Sequence, residues 1–367
     1  MVLPQEGTSS VEEAVSLDLT PDEAARITRD QREKGGAKSK NLLEVKNLTT
    51  SFFTPDGEVR AVDDVSFELG YGETLGLVGE SGCGKSVTAL SLTRLVPSPP
   101  GKVMSGSVVF DGVDLLKLSD DGMRKLRGKE IGFIFQDPLT SLNPTLTIGF
   151  QIAEAIRQHM GISKKAAYDR VVELLGKVGI PRARDRLGDY PHQFSGGMRQ
   201  RVMIAIALSC DPKLILADEP TTALDVTIQA QILELISVLS DEFGTAVLLI
   251  THDLGIAAGM CDRVNVMYAG RIVETGSVDE IFDSPRHPYA WGLLDSLPRL
   301  DDKKSDRLRT IEGLPPLLIN VPDACRFNPR CNFARDVCRE TEPGLTPRAE
   351  PGHFARCWAT EQGGWIP

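Results

Sequence analysis

The sequence predicts an α/β domain built on a largely parallel sheet, and two observations support this. Short apolar runs in "KLILADEP" and "TAVLLITHD" are typical of strands that are buried on both faces. Helical patterns lie between such runs, for example over residues 228–239. Because ligands of such domains bind at the carboxyl ends of the strands, we expect the functional residues to follow strand ends.

The organisation along the chain predicts three parts. Residues 1–40 are polar, carry both charge signs and end in "KGGAKSK", which indicates a flexible tail, with a docking helix as the alternative. The α/β domain is expected over residues 41–285, with a mainly helical subdomain inserted at about 137–210. From residue 286 to 367 the chain is rich in proline and loses its periodicity, so a small C-terminal domain is predicted there.

Composition and charge narrow the class of protein. The chain is 41% hydrophobic and 25% charged, as ordinary soluble domains are. Its net charge of −10 argues against nucleic acid as a partner, because phosphate contacts require a surplus of Lys and Arg. No apolar run approaches the roughly 20 residues of a membrane span, and the N-terminus lacks the pattern of a secretory signal. We therefore expect a cytosolic protein, or one that a partner holds at the cytosolic side of a membrane.

The stretch "GESGCGKS", residues 79–86, fits the phosphate-binding pattern G-x-x-x-x-G-K-[ST] between a strand and a helix. Its glycines let backbone N–H groups point at phosphates, and the helix adds its positive end. Lys85 is predicted to reach the β- and γ-phosphates, and the Ser86 hydroxyl to ligate Mg²⁺. The predicted nucleotide contacts are Gly79, Ser81, Gly82, Cys83, Gly84, Lys85, Ser86 and Val87. The alternative is an ordinary strand–turn–helix whose glycines serve packing.

Polar residues at other predicted strand ends complete a phosphoryl-transfer site. Asp218 and Glu219 follow the run "LILA"; the first is predicted to hold Mg²⁺ through water and the second to act as the general base. Alternatively, the two acids only stabilise the start of a helix. His252, after "LLIT", is predicted to contact the γ-phosphate. Gln136, in "IFQDP", is predicted to contact Mg²⁺ or the attacking water.

A second phosphate cradle is predicted in "FSGGMRQR", residues 194–201. Ser195, Gly196 and Gly197 begin a predicted helix whose positive end suits a γ-phosphate, and Gln200 is included in this site. One chain cannot fold this cradle onto the first if both face outward. Two chains can supply two complete sites.

In order and spacing, six motifs over roughly residues 42–285 resemble those of ABC transporter ATP-binding subunits. They are the loop at 79–86, the Q-loop at Gln136, the signature at 195–200, the acidic strand at 214–219, the D-loop at 223–225 with Asp225, and the H-loop at His252. The resemblance implies a RecA-like core with an antiparallel β subdomain and an inserted helical subdomain. It implies ATP and Mg²⁺ as ligands and ATP hydrolysis as the activity. The aromatic residue that stacks on adenine in this family corresponds to Phe53 or to Phe52, either of which is otherwise strand core.

The tail, from "HPYAWGLLDSLPRL" through "CRFNPRCNFARDVC", is similar to that of dipeptide/oligopeptide importer ATPase subunits. This resemblance implies a second related ATPase subunit, two membrane permeases and an external peptide-binding protein as partners. It implies a peripheral location on the cytoplasmic face of the membrane. The alternatives are a soluble ABC ATPase acting on DNA, ribosomes or cluster assembly, and an importer of nickel or oligosaccharides.

Four of the seven cysteines crowd the tail, at Cys325, Cys331, Cys338 and Cys357. Four thiolates can bind one zinc ion or a [4Fe–4S] cluster. Structural zinc prefers cysteine pairs two to four residues apart, and the spacings here are wider. The resemblance implies a [4Fe–4S] cluster. Zinc, unligated thiols and a redox-labile disulfide are the alternatives.

Overall fold

The computed structural model describes residues 41–222, 224–297, 311–319, 321–348 and 352–361. The predictions for residues 1–40 lie outside these ranges, as does Ala223 of the predicted D-loop.

The strands are β1 Asn41–Thr54, β2 Gly57–Gly70, β3 Thr74–Val78, β4 Gly101–Phe110, β5 Val113–Asp114, β6 Ile131–Ile134, β7 Leu214–Asp218, β8 Ala246–Thr251, β9 Arg263–Tyr268, β10 Arg271–Ser277, β11 Thr346–Pro347 and β12 Phe354–Ala355. The α-helices are α1 Lys85–Leu92, α2 Asp120–Leu126, α3 Pro138–Ser141, α4 Ile148–Met160, α5 Lys164–Lys177, α6 Gly196–Ala207, α7 Val226–Phe243, α8 Leu254–Met260, α9 Val278–Asp283, α10 Pro288–Asp295, α11 Asp336–Glu340 and α12 Trp358–Glu361.

The larger sheet carries the site and has the strand order β11-β12-β10-β9-β3-β8-β7-β6. Strands β9, β3, β8, β7 and β6 are parallel neighbours. Every residue of β7 and β8 is buried, as expected for short apolar strands covered on both faces. Because β3, β7 and β8 are adjacent and parallel, the segments that follow Val78, Asp218 and Thr251 meet at one edge of the sheet.

A second, antiparallel sheet has the order β2-β1-β4-β5. In β1 the side chains of Leu43, Val45 and Leu48 are buried, whereas Lys46 and Asn47 are exposed. The buried side chains of this sheet therefore share an apolar core with β3, β7 and β8 of the larger sheet. The two sheets confirm the predicted α/β class.

Helices α4, α5 and α6 form the region predicted as a helical subdomain, and a shared apolar core holds them together. Ile152, Leu174 and Ile204, one from each helix, are at most 3% exposed. Across the described ranges, no helix combines the length and the apolar character that crossing a membrane requires.

The described part of the tail packs onto the α/β domain. Strand β12 pairs with β10, and β11 pairs with β12, so the tail extends the larger sheet. His353 and Glu274, both fully buried, lie 2.7 Å apart across this junction. A cysteine-rich module with a fold of its own is therefore not confirmed, and the boundary near residue 286 stays a prediction.

Candidate active site

The loop between β3 and α1 curls tightly at two glycines. Gly79 has φ 153° and Gly84 has φ 109°. A Cβ at Gly79 would lie 2.2 Å from the carbonyl oxygen of Met267, and one at Gly84 would lie 2.3 Å from that of Ala61. No larger residue fits either position, so the loop is pressed against the backbone of both sheets. Ser81 and Gly82, between them, are exposed.

Lys85 begins α1 and folds back over this loop. Its side chain is 4% exposed, and Nζ donates to the carbonyl oxygens of Gly79 at 2.8 Å and Glu80 at 3.0 Å. This buried ammonium group, held by carbonyl oxygens, is positioned to bind a phosphate group that enters the loop. Cys83 is also buried, and burial raises the pKa of its thiol, so the thiol stays neutral.

Ser86 and Asp218 lie side by side at the carboxyl end of β7. The Ser86 hydroxyl donates to Oδ1 of Asp218 at 2.9 Å. Burial raises the pKa of Asp218, and the hydrogen bond from Ser86 opposes that rise. A hydroxyl and a buried carboxylate are the oxygen donors that Mg²⁺ takes, so this pair fits the ion.

Glu219 turns sharply away from β7. Its φ is 44°, an uncommon value for a residue with a side chain, and its N–H donates to the Ile250 carbonyl of β8 at 2.9 Å. This turn places the carboxylate beyond the sheet edge rather than in the core. The side chain is still only 14% exposed.

Four side chains from separate segments surround the Glu219 carboxylate. Oε2 accepts from Nε2 of Gln136 at 3.0 Å and from the Thr222 hydroxyl at 3.0 Å. Nδ1 of His252 lies 3.4 Å from Oε2, and Nζ of Lys85 lies 3.9 Å from Oε1. The predicted residues Lys85, Gln136 and His252 therefore gather around the predicted base.

Sequence reasoning missed three residues at this site. Thr222 follows Glu219 by three positions in "DEPTT", which was the available signal. Tyr289 and Arg330 both contact Glu80 of the loop. They belong to the aperiodic tail, and no pattern in the sequence links them to the loop.

The signature segment lies elsewhere on the surface. Ser195 caps α6, accepting from the Met198 N–H at 3.3 Å, and Ser195 and Gly196 are exposed. In the described residues, no hydrogen bond or ion pair joins residues 195–197 to the loop at 79–86. Asp225 caps the neighbouring helix α7, accepting from the Ile228 N–H at 3.0 Å.

Gln200, which was also predicted to belong to this cradle, is buried. Its side chain is 1% exposed, so it does not lie on the surface that Ser195 and Gly196 present. The reason is that α6 enters the apolar core of the helical region after its first turn, where Val202 and Met203 are also buried.

The two candidates for adenine stacking differ in exposure. Phe53 is 50% exposed, whereas Phe52 is partly buried. Phe52 also packs closely on the Gly101 backbone, since a Cβ there would lie 2.9 Å from its ring. An exposed ring is available to stack, which favours Phe53. The side chain of Val87 packs against the apolar core, and its predicted contact with the nucleotide stays a prediction.

The predicted metal centre in the tail is not confirmed. Across the described ranges, no three His, Cys, Asp or Glu side chains approach closely enough to hold one metal ion. The four tail cysteines come from separate short segments and line one cavity. Its lining includes Cys325, Cys331, Cys338, Cys357, Phe327, Phe333 and Trp358.

These cysteines are free thiols. Burial raises the pKa of Cys325 to about 12 and that of Cys331 to about 11, and the neighbouring cysteines contribute to both increases. The thiols of Cys325 and Cys331 therefore stay protonated at neutral pH unless a cation stabilises their charged form.

Comparison with known families places the chain in one class. The family profile described as ABC transporter matches residues 62–222. Among solved structures, the chain is similar to the dimeric ATP-binding cassette MJ0796 in a post-hydrolysis state bound to ADP and Pi. The TM-score is 0.58 at 30% identity, over 64% of this chain and 98% of that one. The core described above is thus that of an ABC ATPase.

The tail and the whole-chain comparisons narrow the class further. A profile for the oligopeptide/dipeptide transporter C-terminal region matches residues 273–338. The oligopeptide transport ATP-binding protein OppD of Bacillus subtilis is 54% identical over 86% of this chain and 88% of its own length. The dipeptide transport ATP-binding protein DppD of the same species is 52% identical over 88% of this chain and 95% of its own. The chain belongs to the oligopeptide/dipeptide branch of the ABC transporter ATP-binding family.

Proposed function

We propose that this chain hydrolyses ATP to power the import of di- and oligopeptides through a membrane permease. The observation that carries the proposal is the cluster of Lys85, Ser86, Asp218 and Glu219 at one sheet edge. The names of the relatives, which are peptide transport proteins, support the cargo class. We propose that the protein acts at the cytoplasmic face of the membrane, where its permease partners hold it.

Each side chain of the cluster has a proposed role. Lys85 binds the β- and γ-phosphates, and Phe53 stacks on the base. Ser86 and Asp218, with Gln136, would hold Mg²⁺, which neutralises the charge on the phosphates. Glu219 orients and deprotonates the attacking water, and Gln136, Thr222 and His252 fix its carboxylate in place.

The second cradle has a proposed role in a composite site. Ser195, Gly196 and Gly197 of one subunit close over the γ-phosphate of the ATP that another subunit's loop holds, and Asp225 lies beside that contact. The exposure of Ser195 and Gly196 supports this proposal, because a helix start left open can bind a phosphate on another molecule. The dimeric MJ0796 cassette supports it too. The partner is a second, related ATPase subunit.

Isolation of the tagged Glu219→Gln variant from membranes in the presence of ATP tests this function. We expect a second ATPase subunit and two permeases to copurify, and ATP hydrolysis by the wild-type complex to rise when peptide and its binding protein are added. In an experimental structure of the ATP-loaded variant complex, Lys85 of one subunit and the signature serine of the other should flank one nucleotide. Copurification of ribosomes or DNA instead of permeases would contradict the transport function.

We also propose that Cys325, Cys331, Cys338 and Cys357 hold a [4Fe–4S] cluster. Two observations support it: all four line one cavity, which aromatic rings help to enclose, and none is in a disulfide. A single zinc ion would need the thiols to converge on a point, whereas a cubane spans a wider set of ligands. The cluster's role would be structural.

Anaerobic purification tests the cluster. We expect stoichiometric iron and sulfide with a visible charge-transfer band, all lost in Cys331→Ser. Cys261→Ser, which changes a partly buried cysteine outside the cavity, serves as the control and should keep the iron. Zinc at one ion per chain, or no bound metal, would contradict the cluster.

A further inference from the structure

The C-terminal region contacts the phosphate-binding loop at Glu80. Arg330 donates from Nη1 to Oε2 of Glu80 at 2.6 Å and from Nη2 to Oε1 at 2.9 Å, a bidentate pair between residues 250 positions apart. The Tyr289 hydroxyl accepts from the backbone N–H of Glu80 at 2.8 Å. The side chain and the backbone of one loop residue are thus both held by the tail.

Arg330 is itself firmly oriented. Its side chain is 4% exposed, and it also donates to the carbonyl oxygens of Glu312 at 3.0 Å and Ile311 at 3.2 Å. Its guanidinium carbon lies 5.8 Å from the centre of the Tyr268 ring. A buried guanidinium held on several sides loses little conformational freedom when it binds a carboxylate. The contact with Glu80 is therefore a fixed feature rather than a loose surface ion pair.

Glu80 links this contact to the phosphate site. Its carbonyl oxygen accepts from Lys85 Nζ at 3.0 Å, beside the Gly79 carbonyl at 2.8 Å. The peptide groups on either side of Glu80 therefore lie between the tail and the ammonium group that meets the phosphates. Fixing Glu80 fixes the curvature of the loop before any ligand arrives, and such preorganisation lowers the entropy cost of binding.

We propose that Arg330 and Tyr289 are positioning residues for ATP. They hold the phosphate-binding loop through Glu80, and the C-terminal region thereby sets the ATP affinity of this subunit. The inference rests on the proposed function only in that ATP occupies the loop at residues 79–86. Neither residue takes part in the hydrolytic step itself. Their loss should therefore act on binding and leave the chemistry at Glu219 nearly intact.

Nucleotide binding and steady-state kinetics of the full chain test this proposal. We expect Arg330→Ala and Glu80→Gln each to weaken ATP binding about tenfold, because each removes a charge-assisted pair. KM for ATP should rise with little change in kcat. The double variant should bind no more weakly than the worse single variant, because both substitutions break the same contact. Tyr289→Phe should weaken binding a few-fold.

Arg339→Ala is the matched control. Arg339 lies in the same region, but its exposed guanidinium pairs at 2.9 Å with Asp336 of its own helix α11. This variant should bind ATP as the wild type does. If Arg330→Ala unfolds, Glu80→Gln and Tyr289→Phe carry the test, since both leave the other bonds of Arg330 in place. Wild-type ATP affinity in both of these variants would overturn the proposal, whereas a wild-type chain that binds no ATP would contradict the proposed function instead.

Discussion

The two phosphate cradles of this chain differ in how completely the chain itself supports them. The loop at residues 79–86 is pressed against Ala61 and Met267 and is held by Tyr289 and Arg330. The helix start at Ser195 has its own cap and an open surface. The loop is preorganised within one molecule, whereas the helix start is exposed, as the proposed contact with a second subunit would require. A site in which two chains enclose one nucleotide requires this difference. Each of the following experiments tests either the loop and its surroundings or the helix start.

The largest effect is expected at Glu219, which lies next to Lys85 of the loop. Glu219→Gln should lower ATP turnover by roughly 10²- to 10⁴-fold while ATP still binds, because the amide cannot take a proton from water. Turnover of the purified complex and a binding assay measure the two quantities. Glu234→Gln, an exposed acid on α7, is the control and should hydrolyse ATP normally. Normal turnover in Glu219→Gln would contradict the proposed role of Glu219 as the general base.

The scaffold behind the loop is expected to respond to pH. Asp63, 6% exposed, contacts Arg326 and lies 3.0 Å from Arg271. Burial alone would raise the pKa of Asp63, but the two arginines lower it overall. Asp63→Asn should reduce the free energy of unfolding at pH 7 by about 3 kcal/mol, since it removes one of the two carboxylates, Asp63 and Glu342, that pair with the buried arginines.

The sign of the pH dependence follows from that lowered pKa. The Asp63 carboxylate contributes stability above its unfolded pKa of about 3.9, and this contribution is lost as pH falls through the lower folded value. Denaturant unfolding at pH 7 and near pH 3 should therefore show the difference between variant and wild type shrinking in acid. Asp336→Asn, at an exposed pair, should change little at either pH. A pH-independent difference would contradict the charge argument.

Substitution of Ser195 in the second cradle is expected to lower turnover, while the loss of stability should be no larger than at an ordinary helix cap. Ser195→Ala should lower turnover of the assembled complex by tens of fold and leave ATP binding to the single chain unchanged. Ser163→Ala is a matched control, because Ser163 caps α5 with the same 3.3 Å bond from the third residue on. Both changes should cost about 1 kcal/mol of stability. Equal turnover in the two variants would mean that Ser195 is only a helix cap.

The smallest effect is expected at the base of the nucleotide. Phe53→Ala should weaken ATP binding several-fold, the range of one base–aromatic stack. Titration with ATP measures it. Phe150→Ala removes a comparable ring, 40% exposed, from the helical region and should bind ATP normally. If only Phe52→Ala weakened binding, the stacking residue would be Phe52.

The sequence predicted the strand ends of the site because each motif directly follows a buried apolar run. Lys85, Asp218 and Glu219 meet since they follow β3 and β7, which are parallel and flank the same strand, β8. The burial of Gln200 was not predicted, because a sequence pattern marks where a helix starts but not how soon it enters a core. Tyr289 and Arg330 were missed since their contacts with Glu80 arise from tertiary packing of an aperiodic tail, which leaves no local periodicity to detect.

Strands β11 and β12 have a consequence for solubility. Each is two residues long. Strand β12 covers part of the outer side of β10, whose N–H and C=O groups would otherwise face solvent as a template for another chain, and β11 pairs with β12 in turn. A chain shortened to end before Thr346 would expose that edge. We expect such a truncation to aggregate during expression, and light scattering of the refolded fragment would reveal it.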